Sequence, residues 1–204
     1  MKIIVFGAAG RTGKQFVQQA LDMGYIVTAF VRTPSKLGII HENLKVVQGD
    51  ALNQESVVKA ISSHDAVISC LGGQGLGPTT ELEEMTANIV AGMKQHNVER
   101  VLYVASAGIY KEISGIVGWL AQRFLKNVLA DHRHAVNLLE QSELAWTIAR
   151  PMGLIDKPVT GQYRITQEGV PKRGRQIARA DVAHFLLYAL SKQEYIKESI
   201  GLAY

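Results

Sequence analysis

Seven residues near the N-terminus, Gly7-Ala8-Ala9-Gly10-Arg11-Thr12-Gly13, constrain this chain more than any other stretch. They follow a short apolar run, Ile3-Ile4-Val5-Phe6, and open a helical pattern that runs from Gly13 to Met23 and stops at Gly24. The spacing G-x-x-G-x-x-G between a buried strand and a helix serves three needs at once. Gly7 permits the tight turn, Gly10 leaves room for a pyrophosphate to reach the backbone, and Gly13 lets the helix lie close to the strand. The unpaired N–H groups and positive end of that helix then hold phosphate. The segment is not a Walker loop, because position 8, five before Gly13, carries Ala8.

The rest of the chain repeats strand and helix. Strands are expected at Ile26 to Val31, Leu44 to Val47, Ala66 to Cys70, Val101 to Ala105 and Leu144 to Ala149. Helices are expected at Asn53 to Ile61, with Asn53 as N-cap, at Thr79 to His96, and over a long stretch from Ile116 to Gln141. This alternation predicts an α/β, Rossmann-type doubly wound parallel sheet of order 3-2-1-4-5-6. In the tail, Gln162 to Thr166 and Gln176-Ile177 read as short strands joined by a basic connection in a hairpin. A terminal helix follows from Asp181 to Leu190. No linker or repeat divides the 204 residues, so one domain, 1–204, is expected, with 152–204 forming part of the acceptor site.

Composition narrows the function classes. Charged residues make up 20% and the net charge is +4, too weak and dispersed to argue for a nucleic-acid partner. A single cysteine, Cys70, excludes an internal disulfide framework. The apolar runs fall short of the roughly 18 to 20 residues of a membrane span, and the N-terminal run is too short for a signal peptide. These features lead us to expect a cytosolic, soluble protein with no membrane partner.

The cofactor is legible at the end of the second strand. An NAD site places a carboxylate there for the ribose 2′-OH. Here the strand ends Val31-Arg32, with Thr33, Ser35 and Lys36 beyond. A guanidinium binds a 2′-phosphate through paired charge-assisted hydrogen bonds, so NADP(H) is expected. Arg11 offers a second positive group near the phosphates. Because ligands sit beyond the carboxyl ends of parallel strands, Asp50 and Ala51 should border the adenine, and Leu71 and Gly72 the ribose and pyrophosphate. Arg150-Pro151 close the sixth strand, which sets Pro151 beside the cofactor.

The acid–base machinery of ordinary short-chain dehydrogenases is a Tyr-x-x-x-Lys pair. Only Tyr188 has a lysine four residues on, Lys192, and both lie on the terminal helix; Tyr110 has Ser114 in the lysine position. Hydride transfer to a flavin needs no such pair, because the proton can come from solvent. His132 shares a helical stripe with Leu125, Val128, Leu129, Val136 and Leu139 and therefore points inward. It suits either a site role or a hydrogen-bonded core histidine. No His/Cys/Asp/Glu cluster has metal-ligand spacing, so no metal is expected. Ile109 to Phe124, with Tyr110, Trp119 and Phe124, reads as an aromatic flap over an apolar acceptor or as a helix packed on the core. The basic run Lys172, Arg173, Arg175 and Arg179 is a solvated hairpin or a steering patch for an anionic acceptor.

Taken in order, these segments resemble the atypical short-chain dehydrogenase/reductases, and within them the flavin reductase (biliverdin reductase B) group of NAD(P)H-binding, NmrA-like proteins. The carriers are Phe6 to Gly13, Val31-Arg32 with Lys36-Leu37, Gly49-Asp50, Asp65 to Ile68, Leu71-Gly72 and Pro78 to Thr80. They continue with Asn88 to Ala91, Met93-Lys94, Thr160 to Tyr163 and Asp181 to Phe185. The resemblance implies an NADPH-dependent reductase, monomeric or weakly dimeric, acting on flavins and sometimes on bilins or quinone-like acceptors. It also implies that Thr12, Arg32 and Lys36 hold phosphates, that Ser106 lies beside the nicotinamide, and that His132 faces the site, with Ser106 and His132 as the catalytic candidates. One departure is plain. A second histidine, expected just after the sixth strand, is replaced by Arg150-Pro151-Met152-Gly153-Leu154, which favours flavin over bilin. Relatives of this type include regulators that bind the cofactor without turnover, so a non-catalytic NADP(H) sensor is the alternative.

Overall fold

A computed structural model describes all of the chain except Gln74 and Ser114, and all side chains but those of Val117 and Ala121 besides. Its main sheet begins with strands β1 (Lys2–Phe6), β2 (Ile26–Val31), β3 (Leu44–Gln48), β4 (Ala66–Ser69), β5 (Arg100–Val104) and β6 (Ala145–Pro151). Helices α1 (Arg11–Asp22), α2 (Gln54–Ile61), α3 (Glu81–Gln95), α4 (Gly115–Phe124), α5 (Lys126–Glu140) and α6 (Arg179–Lys192) connect and flank them. Short strands β7 (Gly153–Ile155), β8 (Arg164–Thr166) and β9 (Gln176–Ala178) lie in the tail, and β10 (Glu198–Ala203) ends the chain. The main sheet has the order β3-β2-β1-β4-β5-β6-β10-β8, which contains the expected 3-2-1-4-5-6.

Strand β1 shows why two helical layers form. Ile3 and Val5 belong to a core with Phe16 and Val17 of α1 and Phe185 and Leu186 of α6. Ile4 and Phe6 belong to the opposite core, with Val57 of α2, Ile89 of α3 and Val136 of α5. Alternate residues of a strand face opposite sides, so an all-apolar strand must be covered on both. The expected cap of α2 is present: Asn53 Oδ1 accepts from the Ser56 amide at 2.8 Å.

Two expectations are corrected, and one strand is added to them. The long helical stretch is two helices that break at Leu125, whose φ and ψ are −108° and 12°. The apolar stripe of Ile116, Trp119, Leu120 and Phe124 lies on the opposite side of a helical wheel from that of Leu129, His132 and Val136. Only the second stripe is buried, so the stretch does not behave as one amphipathic helix. Second, β8 and β9 do not pair as a hairpin. β8 runs antiparallel to β10, and β9 runs parallel to β7. The added strand, β10, extends the parallel sheet beyond β6, burying Ile200 and Leu202, and it is this new edge that captures β8. The terminal helix starts at Arg179. Asp181, in its first turn, accepts from the amides of Thr160 and Gly161 at 2.8 Å each and from the Tyr204 hydroxyl at 2.5 Å.

Candidate cofactor cleft and acceptor side

The loop between β1 and α1 is held by contacts that only glycine allows. Gly7 has φ +74°, and a Cβ there would lie 2.5 Å from the Cys70 carbonyl oxygen at the end of β4. A Cβ on Gly13 would lie 2.2 Å from the Gly7 carbonyl oxygen. The first turn of α1 has no side-chain cap at Gly10 and no acidic residue. Its leading amides and its positive end are therefore available to an anion.

Beyond this loop lies a cleft of about 550 Å³ formed at the carboxyl ends of β1 to β4. Eight of the expected site residues line it: Gly7, Gly10, Arg32, Lys36, Asp50, Ala51, Leu71 and Gly72. Arg32 and Lys36 stand together at the end of β2, where a carboxylate would select NAD. Asp50 Oδ1 accepts from the Leu52 amide at 3.0 Å, and Asn88 Nδ2 donates to the Ala51 carbonyl at 2.9 Å, so this wall is fixed from both sides. Sequence reasoning missed Phe30 and Met85 as lining residues. Phe30 packs against Phe6 with ring centroids 4.9 Å apart and planes tilted by 49°, and a Cβ on Gly49 would strike its ring. The Gly49-Asp50 pair was thus the available signal for Phe30. The cleft's size and its phosphate-ready helix end fit a dinucleotide.

Other expected residues lie outside that lining. Thr12 and Gly13 sit in the first turn of α1. Arg11 is exposed and turns to Asp156, its Nη1 3.2 Å from Oδ2, while Arg179 holds the other oxygen at 2.7 Å. Ser106 follows β5 and Pro151 ends the adjacent β6, and the Ala107 amide donates to the Pro151 carbonyl at 3.0 Å. The Ser106 hydroxyl donates to the Ala107 carbonyl at 3.0 Å. Met152 packs with Ala107 and Ala203, so the tail joins this side of the fold.

His132 sits in the core. It is 7% exposed, and its Nδ1 lies 3.3 Å from the Tyr103 hydroxyl oxygen. Burial pushes its pKa down to about 4 and raises that of Tyr103, so both are neutral near neutral pH. The structure thus favours the core histidine over the proton donor. Burial likewise pushes the Cys70 thiol up to about 12, which disfavours its thiolate. Tyr110 donates to Glu140 at 2.6 Å, and the guanidinium carbons of Arg133 and Arg150 lie 4.3 Å and 5.1 Å from its ring centroid. Ser114, the residue in its lysine position, lies outside the described residues. Tyr188, at the other end of the one Tyr-x-x-x-Lys spacing, donates to Glu194 at 3.3 Å.

No local pattern signals the Arg150 network. This arginine is 2% exposed and pairs with Glu112 at 2.7 Å. It also donates to the Ser199 hydroxyl and to the carbonyls of Gln167, Gly169 and Ser199. It thereby ties the segment after β5 to the tail. Asp131 was missed for the same reason: it caps α3 from α5, accepting from the Leu82 and Glu83 amides.

A parallel doubly wound sheet with this loop and cleft defines a dinucleotide-binding domain of the Rossmann class. The chain belongs to the NAD(P)H-binding family, whose model matches residues 7–193. It is 28% identical over 205 residues to an uncharacterised chloroplastic protein of Arabidopsis thaliana, covering 95% of this chain and 73% of that one. It spans only 48% and 32% of the length of two other curated relatives. Among solved structures, a short-chain dehydrogenase/reductase of Veillonella parvula in complex with NADP has a TM-score of 0.84 at 23% identity, over 100% of this chain and 94% of that one. ChuY, an anaerobillin reductase from Escherichia coli O157:H7, has a TM-score of 0.84 at 22% identity, over 100% of this chain and 97% of that one. At these identities the two structures establish the shared fold. Among the described residues, no group of three or more His, Cys, Asp or Glu could hold a metal ion.

Proposed function

We propose that the protein is an NADPH-dependent reductase that passes a hydride to a small flavin or quinone-like acceptor. The observation that carries this reading is the pair Arg32 and Lys36 at the end of β2, lining a cleft that begins at the uncapped end of α1. NADPH, when bound, supplies the hydride. The α1 amides with Thr12, Arg32 and Lys36 hold its phosphates, and Asp50, Ala51, Leu71 and Gly72 wall its adenosine half. Ser106 and Pro151, at neighbouring strand ends, border the nicotinamide side, and Met152 and the rest of the tail contribute the acceptor wall.

The acid–base inventory supports an acceptor that takes its proton from solvent. His132 is neutral and engaged with Tyr103, and Tyr110 is bound to Glu140. A ketone or sugar substrate would call for a tuned donor close to the reacting carbon. Flavins and quinones need mainly the acceptor ring held against the cofactor. A non-catalytic NADP(H) sensor is the second reading, favoured by the solvent-facing apolar stripe of α4, which suits a protein that acts through contacts. Turnover of NADPH with FMN, riboflavin and quinones separates the two.

A further inference from the structure

Helix α4 is built inside out. Ile116, Trp119, Leu120 and Phe124 recur at the i, i+3, i+4, i+8 spacing that normally marks a buried face. Instead, Ile116 is 78% exposed, and Trp119 and Phe124 are 65% exposed each. The side that meets the protein carries Gly118 and Gln122. A Cβ on Gly118 would strike the Ile113 carbonyl, and Gln122 donates to the Gly108 carbonyl at 2.8 Å. Leu125 and Leu76 extend the exposed apolar surface, and Asn127 Nδ2 ties the Leu76 loop to α5 at 2.9 Å. The aromatic residues are therefore neither core nor part of the cofactor cleft lining.

Within the α4 segment itself the exposed charges have one sign. Between residues 106 and 127, the exposed charged residues are Lys111, Arg123 and Lys126. The one acid in the segment, Glu112, is buried against Arg150. In the nearby first turn of α3, Glu83 pairs with His134 and Glu84 accepts from Thr80. A short helix with Trp, Phe and Ile on one side and basic residues beside them matches an interfacial helix that lies in a headgroup layer. Exposure this high leaves the side chains without walls around them, which suits a broad surface better than a peptide. No described helix is long and apolar enough to cross a membrane, but that concerns spanning only.

We infer that α4 is a peripheral docking element for an anionic lipid surface, with Ile116, Trp119, Leu120 and Phe124 entering the interface and Lys111, Arg123 and Lys126 meeting the headgroups. This inference does not depend on the acceptor or on turnover.

The two tryptophans make it measurable, because Trp146 is 8% exposed and the solvent-sensitive emission belongs to Trp119. The full chain should float with vesicles of phosphatidylcholine mixed with phosphatidylglycerol and not with phosphatidylcholine alone. Emission should shift to the blue on binding and acrylamide quenching should fall. Binding should weaken at about 1 M salt, where the screening length shrinks to about 3 Å. Trp119→Ser with Phe124→Ser should reduce flotation at least about tenfold. Arg123→Glu with Lys126→Glu should abolish the preference for anionic vesicles. Both variants should bind NADPH as the parent does, which excludes misfolding. Failure of the parent to float with anionic vesicles overturns the inference. So does equal binding to neutral vesicles. A blue shift that appears without lipid as protein concentration rises, together with a doubled mass, also overturns it, because a second copy then covers the stripe.

Discussion

Inside the core, the His132 imidazole meets the Tyr103 phenol edge to face, with Nδ1 3.3 Å from the hydroxyl oxygen and the ring planes at 77°. The contact spans α5 and β5. Its environment lowers the His132 pKa from 6.5 to about 4, because burial disfavours the charged ring.

That shift has a direction in stability. A histidine whose folded pKa lies below its unfolded value leaves stability intact above pH 6.5. Stability falls as pH drops from 6.5 toward 4, because the unfolded chain binds the proton first. At pH 5 the loss from this residue is about 2 kcal/mol. Denaturant unfolding at pH 7.5 and pH 5 should show His132→Gln losing less stability than the parent over that interval. NADPH turnover at neutral pH should fall only modestly in this variant. A loss approaching the 10²- to 10⁴-fold typical of a general acid would restore the catalytic reading of His132.

Cofactor choice rests on the end of β2. Arg32→Asp removes a charge-assisted contact and adds repulsion, and should weaken NADPH binding by about 2 to 4 kcal/mol while sparing or improving NADH. Fluorescence titration of both cofactors against parent and variant checks this. A parent that prefers NADH contradicts it.

Two glycines separate a folding requirement from a ligand requirement. Gly13→Ala sets a methyl 2.2 Å from a backbone oxygen and should cost at least about 2 kcal/mol of stability together with cofactor binding. A Cβ on Gly72 meets nothing within 4 Å, yet Gly72 lines the cleft. Gly72→Ala should therefore leave the melting temperature unchanged and reduce NADPH affinity. Unchanged affinity would move the pyrophosphate away from the end of β4.

Much of this was legible because it is local. The glycine spacing, the apolar strands and the Asn53 cap are properties of neighbouring residues, and the order of the first six strands follows from crossover handedness. Long-range partners were not legible. Arg150 looked like the end of a strand, and only the fold brings it to Glu112, 38 positions away, and to Ser199, 49 positions away. β10 was missed because Glu198-Ser199-Ile200-Gly201-Leu202-Ala203 opens on polar residues and its apolar run is interrupted by glycine. It is a strand because β6 offers it an edge. The split at Leu125 was hidden by a helical pattern that continues through it with its apolar stripe out of phase. Eight of the expected cofactor residues converge on one cleft, whereas His132 joined the core, because periodicity distinguishes inward from outward and not core from site.

The Arg150–Glu112 pair should behave as a buried ion pair. Arg150→Leu leaves Glu112 without its counter-charge and should destabilise the protein by about 3 to 5 kcal/mol. Adding Glu112→Gln to that variant should recover part of the loss. Unfolding free energies of the single and double variants measure the coupling, and strictly additive losses would show that the two side chains act independently.

Hydride transfer from NADPH to a flavin or quinone-like acceptor is decided by steady-state NADPH oxidation by the purified protein under anaerobic conditions. With FMN, riboflavin or a soluble quinone, turnover should saturate in both substrates and exceed NADH turnover. Tight NADPH binding with no oxidation above background for any of these acceptors would contradict it and establish the cofactor sensor instead.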